Sequence, residues 1–78
     1  MNAFERVRDT MAGTFNLEPG TVTENTRQTD VEKWDSLGHI NLMVALEGEF
    51  DLGLEPEDFA NLTSVPAILT YLRAQGIE

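Results

Sequence analysis

Residues 34–50 read Trp34-Asp35-Ser36-Leu37-Gly38-His39-Ile40-Asn41-Leu42-Met43-Val44-Ala45-Leu46-Glu47-Gly48-Glu49-Phe50. A polar loop ends here and a helix begins. From Ile40 to Phe50 there is no proline, and Leu42, Ala45, Leu46, Glu47 and Glu49 are strong helix formers. Asp35 or Ser36 is the natural N-cap, its side-chain oxygen accepting a free amide hydrogen of the first turn. A hydroxyl at that place is exposed beside the positive end of the helix dipole, where a phosphodiester is favoured. Ser36 therefore suits a covalent attachment point better than a catalytic nucleophile, with an ordinary N-cap serine as the alternative. The apolar residues of this helix do not fall on one stripe. Ile40, Met43, Val44 and Phe50 are expected to face a core together, with Leu42 and Leu46 widening the face and leaving some apolar surface exposed.

The flanking segments complete a small helical domain. Asn2 to about Phe15 is a first helix, capped by Asn2, with Phe4, Val7, Met11 and Phe15 on one stripe. Residues 16–35 form a long polar connection in which Leu17, Val22, Val31 and Trp34 are too irregularly spaced for a helix or strand. They read as pins that hold an ordered loop on the core. Asp51-Leu52-Gly53-Leu54 closes the second helix, with Gly53 suited to the turn. Pro56 to Ala60 is a short helical turn, with proline at its first position and acids beside its positive end. Thr63 or Ser64 caps a last helix that turns Val65, Ile68, Leu69 and Leu72 inward and stops at Gly76. Pro66 is tolerable in the first turn. No alternating β-branched run signals a strand. The expected fold is all-α: three main helices and one short one, in a single domain of residues 1–78.

Composition narrows the chemistry. No cysteine means no disulfide, no thiolate metal site and no thiol nucleophile in the chain. The net charge is −9, from 14 acids against 5 bases, and no lysine or arginine occurs between Lys33 and Arg73. Seven acids do: Asp35, Glu47, Glu49, Asp51, Glu55, Glu57 and Asp58. Such a surface repels nucleic acid, whose binding needs cations, and suits basic protein partners or simple solubility. Met1 to Phe15 carries Glu5, Arg6, Arg8 and Asp9, unlike a signal peptide, and no apolar run is long enough to insert in a membrane, so a cytoplasmic monomer is expected.

His39 lies three residues from Ser36 and so beside it on the helix, but a hydrolase also needs an orienting acid and an oxyanion hole in a pocket, for which so small a chain has little room. His39 is instead expected as an exposed helix residue near Ser36, touching a partner. One histidine without a second soft ligand makes no metal site. The acids of 51–58 do not follow the EF-hand spacing.

Asp35-Ser36-Leu37 at a helix start is similar to the Asp-Ser-Leu motif of acyl carrier proteins. Ala45-Leu46-Glu47, Glu49-Phe50-Asp51, Pro56-Glu57-Asp58 and Leu62-Thr63-Ser64-Val65 resemble the same family, so the likeness spans the chain. It implies that Ser36 is esterified with 4′-phosphopantetheine by a separate phosphopantetheinyl transferase. The thiol of that arm would carry an acyl or aminoacyl group as a thioester, supplying from a cofactor what the chain lacks. The carrier would not be an enzyme. By the same resemblance, Asp35 helps present the site and the transferase-bound magnesium, and Leu37 adjoins the arm. Leu37, Gly38, His39, Ile40 and Asn41 would meet partners, and Glu47, Glu49 and Asp51 would pair with basic docking patches on acyl-loading ligases or synthases and downstream acyltransferases. Carriers of fatty-acid synthesis have acids two and five residues after the serine. Here Gly38 and Asn41 stand there, a form that resembles stand-alone carriers of polyketide, nonribosomal-peptide or surface-sugar routes. A rival reading from another class is an unmodified acidic module that binds basic proteins through the second helix.

Overall fold

In the computed structural model, which describes all residues 1–78, four helices enclose one core: α1 (Ala3–Phe15), α2 (Ser36–Phe50), α3 (Pro56–Asn61) and α4 (Val65–Ala74). There is no strand. A single antiparallel bridge, Arg27 to Ser64, pins the long loop to the start of α4, with Gln28 N–H donating to Thr63 O and Val65 N–H to Thr26 O.

Local rules set the helix ends. Asn2 caps α1: its Oδ1 accepts from Glu5 N at 2.8 Å while Glu5 Oε1 accepts from Asn2 N at 3.1 Å, satisfying two amides that the helix itself leaves free. Ser64, not Thr63, caps α4 through Ala67 N at 3.1 Å. Both long N-terminal helices end on a left-handed residue, Asn16 and Asp51, each at φ 55°. Asp51 thus makes the turn expected of Gly53. Short polar side chains tolerate that conformation, so glycine is not required.

The long loop is ordered and packed, as its apolar spacing suggested. It holds two short 3₁₀ turns, Pro19–Thr21 and Gln28–Asp30. Val22 and Trp34 are buried, and Leu17 and Val31 are half-buried against the core. Val7, Met11 and Phe15 of α1 and Val65, Ile68 and Leu72 of α4 are buried as their spacing dictates. Phe4 and Leu69, expected inside, are half-buried at the margin, as is Phe59.

Helix α2 is rolled relative to the sequence expectation. Its buried side is His39, Leu42, Met43, Leu46 and Phe50. Ile40 and Val44, expected inside, are 49% and 58% exposed. Leu42 and Leu46, expected to spill into solvent, are sealed at 0% and 1%. The register follows from Trp34, which occupies the core beside the first turn and draws His39 inward.

Short helix α3 buries none of its residues completely. The carbonyl of Phe59 bonds to His39, and no other hydrogen bond leaves Pro56–Asn61 for the rest of the fold beyond its flanking residues.

Candidate functional site

The end of the long loop and the first turn of α2 form the site. Asp35 is the N-cap, its backbone extended and its Oδ1 accepting from Gly38 N at 2.8 Å. Ser36 is therefore the first helical residue rather than the cap. Its side chain is exposed and its Oγ makes no hydrogen bond within the chain. The backbone N–H groups of Ser36 and Leu37 are also unpaired within the chain. A free hydroxyl beside two free amides at a helix N-terminus fits an anionic ester: the oxygen is accessible and the phosphate would meet donors and the positive dipole end. Removing the Asp35 cap should cost about 1 kcal/mol. For a domain of this size, Asp35→Ala is expected to lower Tm by about 4–8 °C in thermal unfolding followed by circular dichroism.

Gly38 has a structural duty that its helix propensity hides. A Cβ added there would lie 2.1 Å from the Lys33 carbonyl oxygen, 3.1 Å from a Phe15 ring carbon and 3.2 Å from Asp35 Oδ1. The loop doubles back over the first turn of α2 so closely that only a residue without a side chain fits. Gly38, expected to meet partners, is half-buried against the loop.

His39 is the clearest correction. Expected on the exposed side, it is buried at 8%. Its Nδ1 accepts from Trp34 Nε1–H at 2.8 Å. Its Nε2 lies 2.5 Å from Phe59 O, a carbonyl that only accepts, so the neutral ring carries its proton on Nε2. The rings of Trp34 and His39 meet edge to edge through this bond, with 6.1 Å between centroids, and Phe15 packs against Trp34 at 5.8 Å. With both nitrogens engaged and its ring inside, His39 is not placed to contact a partner or to act as a base on Ser36. A sequence signal existed: 39, 42, 43, 46 and 50 recur at three- and four-residue intervals, and a buried tryptophan needs an acceptor for its N–H.

The outward face of α2 beside Ser36 is uncharged. Leu37 is 68% exposed, and Ile40, Asn41, Val44 and Gly48 follow it along the surface. The three acids expected to greet basic partners differ in availability. Glu47 is half-buried and its Oε2 accepts from Leu54 N at 3.0 Å, closing the turn after α2. Glu49 points to α1, where Arg6 Nε pairs with its Oε2 at 2.9 Å and Arg6 Nη2 donates to its carbonyl. The Arg6 guanidinium also covers the Phe50 ring at 4.3 Å. Asp51 alone of the three is exposed with no such tie. An open depression of about 490 Å³, lined by Glu47, Leu54, Pro56 and Phe59, lies between α2 and α3. No helix is long and apolar enough to cross a membrane.

Comparison with known proteins agrees with this geometry. The family described as "Phosphopantetheine attachment site" matches residues 5–72. The chain is 30% identical over 75 residues to an acyl carrier protein of Clostridium acetobutylicum, covering 96% of this chain and 97% of that one. It is 31% identical over 71 residues to an acyl carrier protein of Bdellovibrio bacteriovorus, covering 91% of each. With a match that spans nearly the whole helical domain, the chain belongs to the acyl carrier protein family, whose members are carriers rather than catalysts and whose prosthetic group is phosphopantetheine.

Proposed function

We propose that Ser36 is the attachment residue and that the chain carries an acyl or aminoacyl group between enzymes of a secondary-metabolite or specialised lipid pathway. One observation carries the first part: the Ser36 hydroxyl is exposed and unbonded at the start of α2 because Asp35 has taken over capping. When attached, the arm supplies a terminal thiol that holds the cargo as a thioester. The chain's own residues present it. Asp35 fixes the turn, the amides of Ser36 and Leu37 face the phosphate, and the close packing at Gly38 holds the serine outward.

Partners are the phosphopantetheinyl transferase, an acyl-loading ligase or synthase and downstream acyltransferases. They dock on Leu37, Ile40, Asn41 and Val44, with basic groups reaching Asp51 at the far end. The uncharged face supports a pathway other than housekeeping fatty-acid synthesis, because electrostatic steering near Ser36 is weak. Contacts of this kind are small and transient, which suits a monomer that visits several enzymes in turn.

The direct test is intact-protein mass after incubation with coenzyme A, magnesium and a promiscuous transferase. A gain of one phosphopantetheine unit is expected. A folded protein that gains nothing from an active transferase would move the acidic interaction module to first place. Leu37→Ala should reduce kcat/KM of the transferase about fivefold, the size of one interface side chain, while shifting stability by less than about 0.5 kcal/mol because Leu37 is exposed.

A further inference from the structure

His39 joins three parts of the molecule that have little else in common. Phe59 O of α3 accepts a hydrogen bond from Nε2–H, which leaves Nδ1 as the acceptor for Trp34 Nε1–H. Trp34 is 2% exposed and directly precedes Asp35 and Ser36. Its ring packs against Phe15 of α1 and meets the imidazole edge through the hydrogen bond. The backbone between Trp34 and His39 is further confined by the Lys33 carbonyl resting on Gly38 and by the Asp35 cap.

We propose that His39 is a positioning residue for the modification of Ser36, acting through its hydrogen bond to Trp34 and held in the required tautomer by the α3 carbonyl. The inference rests on the reading of Ser36 as the attachment residue. Burial alone does not explain the arrangement, since leucine or methionine would fill a buried helix position without needing two partners. What an imidazole adds is an acceptor for the indole N–H on one side and a donor to α3 on the other. Without the acceptor, a buried N–H is left unpaired, which the chain relieves by moving Trp34 and, with it, the two residues that follow. The hydrogen bond thus sets the posture in which Ser36 is offered. It also joins α3 to that posture, because the Phe59 carbonyl selects the tautomer.

The test uses the whole chain in three variants: His39→Leu, His39→Asn and Trp34→Phe. Leucine fills the site without an acceptor. Asparagine returns an amide oxygen close to where Nδ1 stood. Phenylalanine keeps an aromatic ring at 34 but removes the N–H. Each is assayed with coenzyme A and a phosphopantetheinyl transferase well below its melting temperature, so that folded protein is compared with folded protein. The side-chain N–H resonance of the single tryptophan is followed by ¹H–¹⁵N NMR in the two His39 variants. His39→Leu and Trp34→Phe are expected to lose about tenfold in kcat/KM, the scale of a misplaced reacting group. The indole resonance should shift upfield in His39→Leu. In His39→Asn, both the resonance and kcat/KM should return towards wild type, a rescue that a purely space-filling role does not give. Wild-type kcat/KM in folded His39→Leu or in folded Trp34→Phe overturns the proposal. So does a restored indole resonance in His39→Asn with no recovery of rate. If His39→Leu fails to fold, Trp34→Phe and His39→Asn decide the matter alone. Failure of the underlying reading looks different: the wild-type chain itself would take up no phosphopantetheine at Ser36.

Discussion

Ser36→Ala is expected to abolish phosphopantetheine uptake completely while leaving the fold intact. The loss is total because the hydroxyl is the acceptor in a bond-forming step, and no neighbouring residue offers a replacement. The adjacent side chains are a carboxylate and an alkyl group, Asp35 and Leu37. Stability should not fall. The Ser36 side chain makes no hydrogen bond, Asp35 retains the capping role, and alanine is the better helix former by a few tenths of a kcal/mol. Intact-protein mass with wild type alongside checks the first half, and thermal unfolding checks the second, with Tm expected within about 2 °C of wild type. A variant that still gains one phosphopantetheine unit would place the attachment elsewhere and remove Ser36 from the site.

Gly38→Ala is the second large effect, and its sign opposes the usual rule. In an open helix, alanine for glycine stabilises by roughly 1 kcal/mol. Here the new methyl group would sit 2.1 Å from the Lys33 carbonyl oxygen, a backbone atom that cannot swing aside as a side chain does. Either α2 withdraws from the loop or the Lys33–Asp35 segment lifts away. Both disturb the Phe15–Trp34 contact and the Asp35 cap. Overpacking of this kind typically costs 1–3 kcal/mol, and backbone displacement puts Gly38→Ala at the upper end or beyond. A net destabilisation of about 2 kcal/mol is expected after the propensity gain, or a fall in Tm of about 8–16 °C. Urea unfolding at constant m-value measures it. The control is Gly48→Ala, on the outward face of the same helix with nothing within 4 Å of its Cβ position, which should stabilise instead. If both substitutions stabilise, the loop does not press on Gly38 as the structure has it.

These two outcomes also separate what kind of reasoning each residue needs. Ser36 is singled out as the proposed attachment residue mainly by the Asp-Ser-Leu resemblance, its place before a helix being common to ordinary capping serines. Gly38 read as a weak helical residue on a partner-facing surface, since propensity is a local quantity and the Lys33 carbonyl is brought near only by the path of the loop. The three acids of the second helix show the same limit. Composition marks Glu47, Glu49 and Asp51 as equally negative, yet Glu47 closes a turn and Glu49 holds Arg6 across the α1–α2 contact. Exposed ion pairs of that sort are worth little individually, but they orient a carboxylate away from visitors.

Much of the architecture was legible from residues alone. Helix number, the cap at Asn2, the α4 cap to within one residue, the packed loop and the inward faces of α1 and α4 follow from short-range rules: caps satisfy amides within three residues, and an apolar stripe at helical spacing has one way to face inward. Helix α2 was not legible in this way. Leu37, Ile40, Leu42, Met43, Val44 and Leu46 surround it with apolar side chains, so hydrophobicity does not choose which side turns in. Trp34 and His39 choose. A buried indole N–H needs an acceptor, His39 supplies it, and meeting that need rotates Leu42 and Leu46 into the core and leaves Leu37, Ile40 and Val44 on the surface beside Ser36. That choice depends on a hydrogen bond between a loop and a helix and on a carbonyl twenty residues away in α3. Trp34 and His39 stand only five residues apart, so half of the arrangement left a trace in the sequence, but the Phe59 carbonyl becomes their neighbour only when the chain has packed.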